Sequence, residues 1–162
     1  MGDATGDKAT ILIGRERVIG MTMATVVPVK GTVGQFAVLK VLEFLCQCGA
    51  RESDIIIKTD QEKAIDALVR DVVKARGGVA TKVEKSPVGS SASNGVVERA
   101  AQGVEGLIRT LKVACEERWG VTLGPEEKTV AFIAEYAAYL LNRLEVGKDG
   151  KTAYERCKGK KA

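Results

Sequence analysis

The chain has 162 residues, enough to bury one sizeable core but not two. Apolar residues make up 45% and charged residues 28%, a globular balance that excludes wholesale disorder. The net charge is only +4, and the absence of histidine excludes His-based triads, His general bases and His-containing zinc sites. Chemistry here must run on carboxylates, lysines, hydroxyls or thiols.

The run Lys8–Arg15 is short, apolar and β-branched, and Met21–Val27 alternates until Pro28 stops it. The tight connection between them predicts an antiparallel pair. Val33–Cys48 carries apolar residues on nearly every side, too long for a buried strand, and so predicts a mostly buried helix closed by Gly49. Asp54–Thr59 (DIIIKT) has the continuous apolar centre of a strand covered on both faces. Gln61–Arg76 puts Ile65, Leu68, Val69, Val72 and Val73 on one helical stripe, and Gly77-Gly78 breaks it before a strand at Val79–Glu84. A strand–helix–strand unit of this length predicts parallel pairing.

Lys85–Ser93 is small, polar and breaker-rich, the composition of a loop. Asn94–Trp119 is helical in pattern, with Val97, Ala101, Val104, Ile108, Leu111 and Cys115 on one stripe. Pro125 suits the first position of a last long helix through Leu144, expected to bury Phe132, Ile133, Tyr136, Leu140 and Leu141. A short helix at Thr152–Cys157 completes a single domain, 1–157, followed by a basic tail, 158–162.

Cys46, Cys48, Cys115 and Cys157 lack zinc-ribbon spacing and read as reduced thiols, with Cys46 and Cys115 filling helix faces. The opening MGDATGDKAT is polar and acidic, unlike a secretory signal, and no apolar run approaches the ~20 residues of a membrane span. The expected setting is intracellular, nuclear or cytoplasmic, without a membrane partner.

Two carboxylates stand where chemistry could be built. Asp60 ends the DIIIKT strand, where open α/β sheets place their ligands. Glu98 lies just inside the long helix that follows the loop. If the loop folds back, the two acids can meet and share a hard cation such as Mg²⁺. Two such ions ~4 Å apart drive phosphoryl transfer. The plainer reading of Glu98 is a favourable charge near a helix N-terminus.

The ordered motifs resemble the catalytic core of retroviral and retrotransposon integrases, DDE polynucleotidyl transferases. Ile57-Lys58-Thr59-Asp60-Gln61-Glu62 is similar to the strand that ends in the family's second catalytic Asp. Ser86 to Arg99 (SPVGSSASNGVVER) resembles its loop, Asn-Gly turn and the helix bearing the catalytic Glu. The interval from Asp60 to Glu98 is close to the family's, and Gly150-Lys151-Thr152-Ala153-Tyr154-Glu155 looks like the motif that follows many retrotransposon cores, with Ala153 where Pro is common. The family's first catalytic Asp lies one strand before Thr10–Arg15. By that alignment the chain opens in the turn after it, with Asp3, Asp7 and Glu16 poorly placed as substitutes.

The resemblance implies an α/β, RNase H-like mixed sheet flanked by helices on both faces, without its first strand. It implies metal-dependent DNA 3′-end processing and strand transfer, weak or inert in this chain, with Asp60 and Glu98 as catalytic ligands of Mg²⁺ or Mn²⁺. Ser91, Ser93, Asn94 and Gly95 lead into a helix N-terminus suited to phosphate, and Arg109 and Lys112 lie further along it. Arg109 falls about 20° from Glu98 around the helix. The expected partners are DNA and further copies of the chain, with no small-molecule substrate. The alternative is a non-enzymatic, nucleic-acid-binding or self-associating remnant of a retrotransposon integrase.

Overall fold

The first apolar run forms β1 (Thr10–Arg15), which pairs antiparallel with β2 (Thr22–Val27), Thr10 opposite Val27 and Arg15 opposite Thr22. In the connection, the Glu16 carboxylate accepts from the Val18 and Ile19 amides at 3.0 and 2.5 Å. Gly20 closes it at φ +81°, where a side chain would be strained. The structure, a computed structural model, describes residues 9–27, 35–59, 62–86 and 91–162, with only the backbone of 91–94.

The pleat sorts this pair into two faces. Ile11, Ile13, Ala24 and Val26 pack on one core cluster, and Met23 packs with Phe44 on the other side. Phe44 belongs to α1 (Phe36–Gln47), which buries only Val38 and Phe44. Phe36 and Leu39 stand exposed, so the nearly all-round burial expected of this segment is not found.

The strand–helix–strand unit follows its sequence signal. β3 (Ile55–Thr59), α2 (Lys63–Arg76) and β4 (Thr81–Lys85) follow in order, and β3 and β4 are parallel with Ile55 opposite Thr81. Ile57 packs against Leu68 and Val72 of α2 and Val38 of α1. Ile56 is 59% exposed, which corrects the expectation that this strand is covered on both faces. The β1–β2 pair has helices on both sides, the β3–β4 pair α2 on one. Among the described residues the two pairs form separate ladders.

Arg76 ties this unit together. It is 7% exposed at the last position of α2. One terminal nitrogen donates to the carbonyls of Ala50, Arg51 and Ser53 at 3.2, 3.0 and 2.5 Å. The other reaches the Ala80 carbonyl and the Thr81 hydroxyl. A single side chain thus holds the entry to β3 and the entry to β4.

Helix α3 (Ser91–Trp119) begins earlier than the sequence pattern suggests, so Ser91 to Ser93 belong to its first turn rather than to the loop. It buries Ala100, Val104 and Ile108, while Val97 faces outward, against expectation. Pro125 sits in a turn, and α4 (Lys128–Leu144) starts after Glu127, whose extended backbone caps it. Its buried face is Val130, Ile133, Ala134, Ala137 and Ala138. Phe132 and Tyr136, expected on the buried face of this helix, instead line the outside with Tyr139. Their rings stack at 5.6 and 5.8 Å between centroids. Asn142 of α4 is buried, accepting from the Thr22 amide at 2.8 Å and donating to the Thr22 carbonyl at 2.7 Å.

The last helix, α5 (Ala153–Lys158), opens with a capping box between Thr152 and Glu155 and ends at Gly159 with φ +69°. Just before it, Asp149 receives a two-pronged bond from Arg156, at 2.8 and 2.5 Å. That guanidinium holds the Asp149 carboxyl well below the usual carboxylate range. A depressed folded-state pKa adds stability above the unfolded value near 4 and loses it as pH falls further. Asp149→Asn is therefore expected to flatten the fall in melting temperature below about pH 4, read by circular dichroism.

All four cysteines are unpaired. Cys46 is exposed rather than packed, whereas Cys115 is half-buried against the core. Burial pushes the Cys48 thiol up to about 12, with Cys157 beside it adding to the effect. Among the described residues no helix is long and apolar enough to cross a membrane.

Candidate functional site

The sequence assigns the site to the ends of β3 and β4 and the start of α3. The two strand ends are joined by the Ser86 amide, which donates to the Thr59 carbonyl at 2.9 Å. Lys85 then bonds Asp66 in the first turn of α2 at 2.6 Å, locking strand to helix. Glu84 pairs with Lys58 and Lys82 at 3.4 and 3.0 Å, and those ammonium groups lower its pKa. These nearby acids are committed to structural pairs. Asp60 lies outside the described residues, as do the side chains of Ser91, Ser93 and Asn94.

The backbone of 91–94 forms the first turn of α3, so its early N–H groups lack helical partners behind them. Gly95 is half-buried in the second turn, and Glu98 is exposed on the helix surface. Arg109 is also exposed, on the same side as Glu98 but about 16 Å further along the axis. Lys112 is 3.7 Å from Glu116, whose carboxylate also accepts the Leu123 amide at 2.8 Å. It therefore sits within the link that fastens α3 to the segment before α4.

Sequence reasoning missed a cleft of about 400 Å³ beside this helix, lined among others by Arg15, Gly95, Val96, Arg99, Leu141 and Glu145. Gly95, Arg99 and Gly103 fall on one helical stripe, and the two glycines keep the wall open above Arg99. Arg15 reaches it from the end of β1, its guanidinium donating to Thr22 Oγ1 at 2.7 Å. Two guanidiniums near a helix start suit an anion such as a phosphate. The missed signal was the four-residue spacing of Gly95, Arg99 and Gly103. Its partner on β1 is distant in sequence, so only the fold reveals the pair.

Among the described residues the donor set for a resident cation is incomplete. Among the described residues no three of Cys, Asp and Glu gather in one place. Glu98 alone does not hold Mg²⁺, which takes one or two carboxylates together with water and substrate phosphate.

The whole arrangement of strands and helices superposes on solved integrase structures. The chain matches a chain of the simian T-cell lymphotropic virus intasome in complex with a PP2A regulatory subunit, with TM-score 0.68 and 17% identity. That match covers 91% of this chain and 48% of the viral one, so the chain spans about half of that relative. The BIV integrase catalytic core domain matches with TM-score 0.57 and 22% identity, covering 91% of this chain and 84% of the other. The HTLV-2 integrase catalytic core domain in complex with magnesium, a dimeric form, matches with TM-score 0.54 and 11% identity over 99% and 100%. This is the integrase catalytic-core fold. No family profile matches the chain, and no curated protein does. The integrase-like core accounts for the order of elements read from sequence: a hairpin, a strand–helix–strand unit, and a long helix carrying Glu98.

Proposed function

We propose that this integrase-like core engages DNA ends and serves DNA integration, with Asp60 and Glu98 as its share of the catalytic carboxylates. The observation that carries the reading is the core fold itself, matched over 91% to 99% of the chain. Within it Asp60 follows the last residue of β3, and Glu98 lies two turns into α3. Ser91, Ser93, Asn94 and Gly95 are proposed to meet the phosphate backbone at the helix start. Arg109 and Lys112 extend that surface. The Arg15–Arg99 cleft adds a second place for a phosphate. Asp60 and Glu98 would hold Mg²⁺ or Mn²⁺, which supplies charge stabilisation at the transferring phosphate when bound.

This chain by itself is proposed to be weak or inert in strand transfer. A labelled DNA end incubated with the chain and Mn²⁺ or Mg²⁺ should stay almost unprocessed. Robust 3′ processing or strand transfer overturns that part of the reading. DNA binding itself should weaken steeply as salt rises, because phosphate contacts dominate it. Calorimetric titration with Mn²⁺ should show weak binding to the wild type and none to Asp60→Asn. Absence of binding in both leaves the non-enzymatic, DNA-binding reading.

A further inference from the structure

Around the shoulder of α3 from Glu98, three elements bring three charged side chains to one cleft. Arg99 follows Glu98 directly, about 100° around the helix from it. Arg15 comes from the end of β1, and Glu145 from the residue that closes α4. All three line the same cavity of about 400 Å³, within the ~300–1,000 Å³ of small-ligand sites. Among the described residues none of them is in an ion pair. The Arg15 side chain bonds the Thr22 hydroxyl alone, and the side chains of Arg99 and Glu145 have no hydrogen bond.

Arg15 is held in place before any ligand arrives. Its Nη1 donates to Thr22 Oγ1 at 2.7 Å, and the Thr22 backbone is fixed in turn by Asn142. Its Nη2 lies 3.2 Å from where a Cβ on Gly20 would stand, and Arg156 Nη1 lies 3.5 Å from that same point. Two like charges therefore flank Gly20, and Arg156 spends its own on Asp149 whereas Arg15 does not. An anion supplies the charge-assisted partner that the fold leaves out.

Two glycines keep the cleft open. Glycine is a poor helix residue, yet Gly95 and Gly103 each stand four residues from Arg99 on this wall. A Cβ on Gly95 would meet nothing within 4 Å, and one on Gly103 would meet Leu141 Cδ1 at 3.9 Å. Buried Ala100 and half-buried Leu141 add an apolar surface. These walls call for a ligand of three parts. Two guanidiniums take a phosphate, the apolar surface takes a flat ring, and the carboxylate takes an N–H donor. A lone phosphate is a poor match, because Glu145 repels it. Two guanidiniums and one carboxylate leave one net positive charge, enough to balance one phosphodiester.

We propose that this cleft binds one nucleotide whose base carries an exocyclic amine, with its phosphate on Arg15 and Arg99 and its amine donating to Glu145. Carboxylates accept from the cytosine amine in this way, whereas thymine offers a carbonyl at the same place. The nucleotide is either free in solution or an unpaired residue of a DNA strand, and both present the same phosphate, ring and amine. The inference rests on the reading of α3 as a helix that meets phosphates, and names what the second phosphate place takes.

The test titrates the full chain with deoxycytidine monophosphate, deoxythymidine monophosphate and inorganic phosphate, read by calorimetry. The cytidine nucleotide should saturate and bind about tenfold tighter than either of the others. Arg99→Gln should weaken it about tenfold or more, and Glu145→Gln should erase the preference over thymidine. Gly103→Leu fills the cleft without touching a charge, and should abolish binding while helix content by circular dichroism stays the same or rises. The comparison of the three ligands on the wild type needs no variant to fold. A deoxycytidine trinucleotide that binds about tenfold tighter than the monophosphate assigns the cleft to a strand, and equal affinity assigns it to the free nucleotide. No saturable binding of either cytidine ligand overturns the proposal, as does phosphate binding equally well, or binding that survives Gly103→Leu. Salt-sensitive binding of duplex DNA without cytidine binding overturns the cleft nucleotide and keeps the DNA reading. Cytidine binding without duplex binding does the reverse.

Discussion

Replacing Arg76 by alanine is expected to cost about 2–4 kcal/mol of folding stability, more than any single exposed ion pair contributes. The side chain is buried at the C-terminus of α2 and reaches three carbonyls of the 50–53 turn as well as Ala80 and Thr81. Bonds from a charged donor are worth ~1.5–3 kcal/mol each. The 50–53 turn is partly exposed, so water recovers some of that loss once the side chain is gone. Arg76→Lys should restore less than half, because one ammonium cannot span both strand entries as a planar fork does. Urea unfolding is the measurement: the midpoint should fall with the slope unchanged. A loss under about 0.5 kcal/mol for alanine would show that the turn holds its shape without the fork.

Asn142→Leu should be comparably severe, about 3–4 kcal/mol, since it leaves both the N–H and the C=O of Thr22 buried without partners. Asn142→Asp gives a finer reading. A carboxylate keeps the bond from the Thr22 amide but faces the Thr22 carbonyl with no donor, so burial and that carbonyl raise its pKa above the unfolded value. A raised folded-state pKa makes the variant relatively more stable below about pH 4, where the protonated acid can donate, and less stable as pH rises past it. The difference in melting temperature between Asp and wild type should therefore widen from pH 4 to pH 7. A constant difference would mean that the Thr22 carbonyl is not the partner that matters.

Much of the architecture was legible because it rests on local signals. The stripe Leu68, Val69 and Val72 became the buried face of α2, and Thr152 with Glu155 formed the capping box that starts α5. The α4 face was misread for a physical reason. Phe132 and Tyr136 are larger than Ala134, Ala137 and Ala138, but α4 packs against β2 and α3 through the alanines. Hydrophobic size ranks residues by what they gain from burial, whereas close packing of a helix on a strand selects for what fits. Pro125 misled similarly: proline fits a helix start, but it equally fits the turn ahead of one. The Asn142 clamp and the Arg76 staple have no sequence signature, since each joins residues that only the folded chain brings together. At the candidate site, Glu98 was readable as the acid just inside a helix. The Arg15–Arg99 cleft was not, because its walls come from opposite ends of the chain.

The alanine face of α4 also governs how the molecule can deform. Ala134 and Ala137 are 0% exposed, so methyl-sized side chains fill the contact between α4 and its neighbours. A roll of one residue about its axis would drive a benzene ring into room sized for a methyl group. Helix α4 and the hairpin beneath it are consequently geared together.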